Sequence, residues 1–271
     1  MIKFLDPSKN CTLYSRLKLL NTGSDEISEL KSGFSYNSGT DAARILIQFD
    51  TAELEKYELE TTSFFLNLKI IQKYELSDAF EIETYPISDA WDEGSGRFVD
   101  VEHDYAGASW KYRNSNQDTW SGDEFAEIEN GGGSWYSNLE TPSGQRIEIN
   151  KSVKLQKQAV DLRVDISDFV GYWLDSSLEN NGIILKFKND KEGHSANIKF
   201  FSKNTNTIYS PYLEIATDDY SFNPIPHHEC PPNTLSTTES LNSGSQPSSG
   251  SCPSSGSQPS SGSQPSSGSL D

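Results

Sequence analysis

Cysteine is scarce and scattered in this chain. Cys11, Cys230 and Cys252 are the only three, far apart and odd in number. They supply neither a disulfide framework nor a metal-ligand spacing, and reduced thiols of a protein made in a cytosol are expected. Long apolar runs are missing too. None approaches the roughly 18 residues that span a bilayer. At the N-terminus, MIKFLDPSKNC has no apolar segment of signal-peptide length, because Asp6, Pro7 and Asn10 interrupt it. Basic residues are few, and none follows Lys203. With 22 Lys and Arg against 40 Asp and Glu, the formal net charge is −18. So acidic a surface repels phosphate, which argues against nucleic acid and against a membrane of anionic lipid as direct partners.

Catalytic signatures are also absent. There is no G-x-S-x-G, no H-E-x-x-H and no P-loop. The only histidines before residue 220 are His103 and His194, both in polar, loop-like surroundings. A glycosidase needs two carboxylates, but among so many acids a pair is always to be found and carries no signal. No enzymatic activity is expected.

The composition changes near residue 220. From Ser221 onward Glu229, Glu239 and Asp271 are the only charged residues, so all but −3 of the net charge lies on residues 1–220. SGSQPS stands at 243–248, SGSCPS at 249–254, and SGSQPS again at 255–260 and 261–266. Nothing in this six-residue unit can bury a core, so 221–271 reads as a low-complexity tail, a tether or polyproline-II-like spacer. Three residues per polyproline-II turn would also align its glycines and prolines on one edge, suited to close packing against other extended strands. His227, His228 and Cys230 read as part of the same solvated segment.

Residues 1–220 read as one domain of short strands. Ile45, Ile47 and Phe49 alternate with Arg44 and Gln48, Leu46 being the exception. Phe64, Leu66, Leu68 and Ile70 form a second alternating set, and Phe80, Ile82 and Thr84 a third. Arg146–Asn150 and Leu162–Ile166 follow the same rule, and Ile183–Phe187, Ile198–Phe201 and Tyr212–Ile215 read as the further short strands that complete the domain. One brief helix is predicted at Phe169–Leu174, with Ser167 or Asp168 as its N-cap. Asn180-Asn181-Gly182 supplies a turn, and Asn189-Asp190 with Glu192-Gly193 predicts a hairpin. Aromatic residues at 11% and alternation without long helical runs predict an all-β, antiparallel, jelly-roll-like β-sandwich with one short helix.

The pattern breaks across an insertion at about 89–145. Four of the five tryptophans lie there: Trp91, Trp110, Trp120 and Trp135. Loops of this length are functional or fold on a packing of their own. With Tyr112 and Tyr136, these tryptophans are the candidate binding residues, as a platform for sugars or partner proteins. The competing reading is a small core that seals the loop onto the sheet, which is how large aromatics are usually used. Asp92 and Glu93 are candidates for a hard cation such as calcium, with Asp100, Glu102 and Asp104 nearby. They lack the alternating spacing of an EF-hand loop, and a solvated acidic turn explains them equally.

RILIQFD at 44–50 resembles the R-x-L-L-x-F-D strand of DNRLRE-type domains, which are similar to a family of carbohydrate-binding modules. Further elements of that pattern recur in order: WDEG at 91–94, the V-D-x-x helix turn of 164–173, N-G-I-I-L-K at 181–186 and P-Y-L-E-I at 211–215. LYSRLKLLNTGSDEISEL, GASWKYRNSNQDTW, GGGSWYS and NTIYSPYLEI resemble the version found among bacteriophage virion structural proteins. The resemblance covers residues 10–216 and excludes the tail. It implies a β-sandwich without catalytic residues, located in a virion, that contacts other virion proteins and copies of itself as a homo-oligomer. A carbohydrate-binding role toward a host surface glycan is the alternative it implies.

Overall fold

The computed structural model describes residues 2–217 apart from 36–38, 75–79, 101–106, 122–125, 129–130, 142, 157, 160 and 191–194. The repeat tail, with Cys230, Cys252 and the His227-His228 pair, lies outside the described residues, as do Glu102, Asp104, His103 and His194. The first strands are β1 (Ile2–Leu5), β2 (Lys9–Tyr14), β3 (Ile27–Ser32), β4 (Phe34–Ser35), β5 (Gly39–Thr40) and β6 (Ala43–Gln48). Then come β7 (Thr62–Tyr74), β8 (Glu81–Pro86), β9 (Ala126–Ile128), β10 (Ser134–Tyr136), β11 (Asn138–Glu140) and β12 (Arg146–Glu148). The last are β13 (Lys151–Lys154), β14 (Asp161–Asp165), β15 (Ile183–Phe187), β16 (Ala196–Phe201) and β17 (Tyr212–Thr217). Among the described residues the α-helices are α1 (Thr51–Leu54) and α2 (Ser167–Leu174), one more than the sequence predicts. Neither is long and apolar enough to cross a membrane.

Eleven strands join one large antiparallel sheet, ordered β1-β17-β7-β16-β3-β6-β15-β8-β13, with β14 beside β7 and β2 beside β6. The sheet curls because β7 serves two neighbourhoods. Its first half lies between β17 and β14, in register Leu66↔Leu213 and Leu66↔Val164. Its second half leaves them and pairs with β16, across an irregularity at Lys199/Phe200 that turns the strand. Period-two alternation then sends Phe64, Leu66 and Leu68 inward. They meet Leu30, Ile45, Ile47, Ile82, Val164, Ile198, Phe200 and Leu213 in one buried cluster fed by both halves of the sheet. That shared core makes the architecture a jelly-roll-like sandwich.

The strand–helix–strand unit from β14 to β15 forms as its periodicity predicts, with Phe169, Val170 and Trp173 buried. Its cap differs. Ser167 is the first helical residue and Ile166 stands at the N-cap position. The Asp165 carboxylate accepts from the Ser167 amide at 3.0 Å and from its hydroxyl at 2.7 Å. Ser167 Oγ in turn accepts from the Phe64 amide at 2.9 Å. The hydroxyl is thus used to tie the helix start to β7, and an acid two residues earlier takes over the cap.

The hairpin predicted at Asn189-Asp190 does not form. β15 pairs with β6 and β8, whereas β16 pairs with β3 and β7. Asn189 does turn the chain, with φ at 59°. Asp190, however, is 2% exposed and points inward. A buried ion pair, described next, draws it away from the surface a hairpin turn would give it. Glu192 and Gly193 lie outside the described residues.

Candidate functional site

The second face of β6 carries the least expected side chain of the fold. Arg44 is fully buried. Its Nε donates to Asp190 Oδ2 at 2.7 Å, its second fork nitrogen donates to Oδ1 at 3.2 Å, and a third donates to the Gly132 carbonyl at 3.0 Å. The guanidinium lies over the ring of Trp110 at 4.9 Å and over that of Trp135 at 5.1 Å. A buried guanidinium costs several kcal/mol in lost hydration, and it persists only where charge, hydrogen bonds and ring faces all replace water. Lys186 repeats the arrangement on a smaller scale. It is 3.1 Å from Glu83 and lies 5.8 Å from the rings of Tyr85 and Trp135.

Around these cations the insertion folds into a core of its own. Trp91, Trp110, Trp120 and Trp135 cluster with Cys11, Leu13, Leu46, Tyr85, Ile87 and Ile184. Leu46, an exception to the alternation of its strand, is accounted for here: both faces of β6 are covered. The same holds for Ile184 on β15. Trp91 Nε1 donates to the Asn181 carbonyl at 2.8 Å, and Trp120 Nε1 to the Ser109 carbonyl at 2.9 Å, so these indoles are held at both ends. Three consecutive glycines make the closure possible. Gly131, Gly132 and Gly133 all have φ between 86° and 98°. A Cβ on Gly132 would stand 2.7 Å from the Trp110 ring. Only glycine combines that backbone with that approach.

The candidate binding residues are therefore divided by the fold. Trp91, Trp110, Trp120 and Trp135 are 2%, 4%, 2% and 1% exposed, with both faces covered by protein. They form a packed core and leave no open face on which a sugar or partner could stack. Tyr112 is half-buried at the surface, with Lys111 over its ring at 4.7 Å. Tyr136 follows Trp135 by one residue, so it points the other way and packs against the main core. Asp92 and Glu93 separate similarly. Glu93 accepts from the Asn10 amide at 2.8 Å and from Lys203 at 2.7 Å, whereas Asp92 faces Ser115. Among the described residues, no three His, Cys, Asp or Glu side chains gather as metal ligands.

Cys11 lies beneath the same loop, its sulfur 3.5 Å from the Ala108 carbonyl and 3.8 Å from Thr22 Oγ1. Burial pushes its thiol up to about 11, since a thiolate there would lose its hydration. It is a packing residue.

A cleft of about 530 Å³ opens beside this core, over the outer face of β3 and β16. Tyr14, Leu17, Ile27, Phe98 and Val99 supply its apolar wall. Period-two alternation brings Ile27, Glu29 and Lys31 to it from β3 and Lys199 from β16. Phe98 is fixed on both sides. Its amide donates to Asp25 Oδ2 at 2.9 Å, and its ring meets Tyr14 edge-on at 5.1 Å. Burial raises the Asp25 carboxyl above its ordinary value, ahead of the opposing effect of the Phe98 amide. Asn21 anchors the approach to this wall. Its amide donates to the Glu93 and Ala108 carbonyls, each at 2.8 Å, while its oxygen accepts from Gly96 at 2.8 Å. In the sequence this cleft shows only as the I-x-E-x-K alternation of β3 and an apolar Phe98-Val99 pair inside a polar loop.

No family model and no curated protein matches this sequence.

Proposed function

We propose that this chain is a non-catalytic structural module of a bacteriophage particle, held there by contacts with other particle proteins and with copies of itself. One observation supports this reading over a catalytic one. The residues that carry the family resemblance are spent on the scaffold: Arg44, Trp91, Trp173 and Asn181 are all buried. Arg44 pairs with Asp190, Trp91 donates to the Asn181 carbonyl, and Trp173 packs in the main core. What such a signature would preserve is a rigid sandwich, on which outward side chains supply the contacts. The carbohydrate-binding alternative gains nothing from the loop tryptophans, because their faces are covered.

Mass spectrometry of purified particles tests the proposal. The chain should be present at a stoichiometry that matches a symmetric ring or its multiples. Its absence from particles, with the protein abundant in the infected cell, would sink it.

A further inference from the structure

We infer that the open edge of β1 is the place where a second copy of this chain joins, strand to strand about a two-fold axis at Phe4. This rests on the proposal that copies of the chain contact one another, and it assigns that contact a place and a register.

Among the described residues β1 pairs only with β17, so it ends the large sheet with one backbone edge open. An open edge offers unpaired N–H and C=O groups to another strand, and folds usually guard it with charge. The opposite end of the sheet is guarded in that way, since β13 carries Lys151 and Lys154. β14, which also pairs on one side only, carries Asp161, Arg163 and Asp165. β1 reads IKFL, and its one charge, Lys3, lies over the Tyr57 ring at 5.7 Å. Leu5 packs against the main core, and Phe4 points to the other face, 66% exposed. It is the most exposed aromatic side chain among the described residues.

Self-complementarity selects a second copy as the occupant. A two-fold axis perpendicular to the sheet joins two edges antiparallel and keeps each face on its own side, so opposed residues have the same parity. With the axis at Lys3, two ammonium groups would face each other, which destabilises a pair. With the axis at Leu5, Phe4 would meet Asp6, and Lys3 would meet Pro7, which has no N–H to donate. With the axis at Phe4 neither fault arises. Lys3 meets Leu5, and Phe4 meets Phe4 of the second copy as an aromatic cross-strand pair. Each Phe4 ring already stands edge-on to Tyr212 at 4.9 Å, so the join makes one row of four rings across both copies. Glu214, the residue opposite Phe4 on β17, is bound by Arg163 at 3.0 Å, so its charge is answered within each copy. A strand of four residues buries little area, so the contact is weak in dilute solution and forms where an assembly concentrates the chains. Screening the repulsion between two chains of net charge −18 strengthens it.

The test is photo-crosslinking of the full chain with p-benzoylphenylalanine in place of Phe4, in an equal mixture of ¹⁴N- and ¹⁵N-labelled protein. Mixed-isotope crosslinks should join β1 of one chain to β1 or β17 of another, and should increase with protein concentration and with salt. The same probe at Ile208, which is 92% exposed, should give several-fold fewer. Sedimentation velocity of charge variants checks the axis. Phe4→Lys and Phe4→Glu should each sediment as monomers at concentrations where the unsubstituted chain associates, and an equal mixture of the two should associate again. Both changes fall at a solvent-exposed position, and unchanged circular dichroism confirms that each variant is folded. Crosslinks confined to single chains, crosslinks between chains that avoid β1 and β17, or a mixture no more associated than either variant alone would each overturn the inference. A chain present in particles but crosslinked there only at other surfaces removes this edge and leaves the particle role. A chain absent from particles that still pairs through Phe4 does the reverse.

Discussion

Arg44 and Asp190 are 146 positions apart in sequence, yet they form a two-pronged ion pair that is buried on both sides. The pair joins β6 to the segment after β15 and closes the underside of the tryptophan loop. Removing one partner leaves the other charged and buried without its counter-ion. Arg44→Met or Asp190→Asn should each cost about 3–5 kcal/mol in urea denaturation. The double variant Arg44→Met/Asp190→Leu should recover a substantial part of that loss. Strictly additive losses would show that the two side chains do not act as a pair.

Gly132 is the point at which the loop passes closest to the Trp110 ring. Its positive φ and its approach to Trp110 both exclude a side chain. Gly132→Ala should destabilise the fold by roughly 1–3 kcal/mol and alter the near-ultraviolet circular dichroism of the tryptophans. Gly144, also at positive φ but with only the Glu140 carboxylate within 4 Å, offers the control: its Ala variant should lose less and leave that spectrum unchanged.

Cys11 should be silent toward iodoacetamide at pH 8 in the native protein and react once guanidinium unfolds it, as read by peptide mass spectrometry. Its elevated pKa also sets a pH dependence. Below the ordinary thiol value of 9.0 both states keep the proton, and this group's contribution to stability is whole. Between 9.0 and about 11 the unfolded chain releases the proton and the folded chain retains it, so stability falls as pH rises. The slope from this one group approaches about 1.4 kcal/mol per pH unit. Cys11→Ala should flatten the stability curve in that window by this amount. An unchanged slope would contradict the burial of the thiol.

Much of the fold was legible in the chain because one rule dominates it. Period-two alternation locates β7 and β14, where one face is buried and the other is not. It misleads where the second face is covered too. Leu46 and Ile184 look like irregularities until the tryptophan loop is seen above them, and Arg44 looks like a surface residue on an outward face. Asp190 looks like a turn residue for the same reason: its partner is distant in sequence, and no local pattern announces a buried ion pair. The six aromatic candidates were conspicuous by type and spacing, but type does not separate a platform from a core.

Trp91, Trp110, Trp120 and Trp135 form a closed core over Arg44. Acrylamide quenching of tryptophan fluorescence reads that closure, in the Trp173→Phe background so that the four loop indoles alone report. The native protein should give a Stern–Volmer slope several times lower than free tryptophan amide, rising to the free value in denaturant. A native slope close to the free value would show the indoles open to solvent and return the loop to the role of an exposed binding platform.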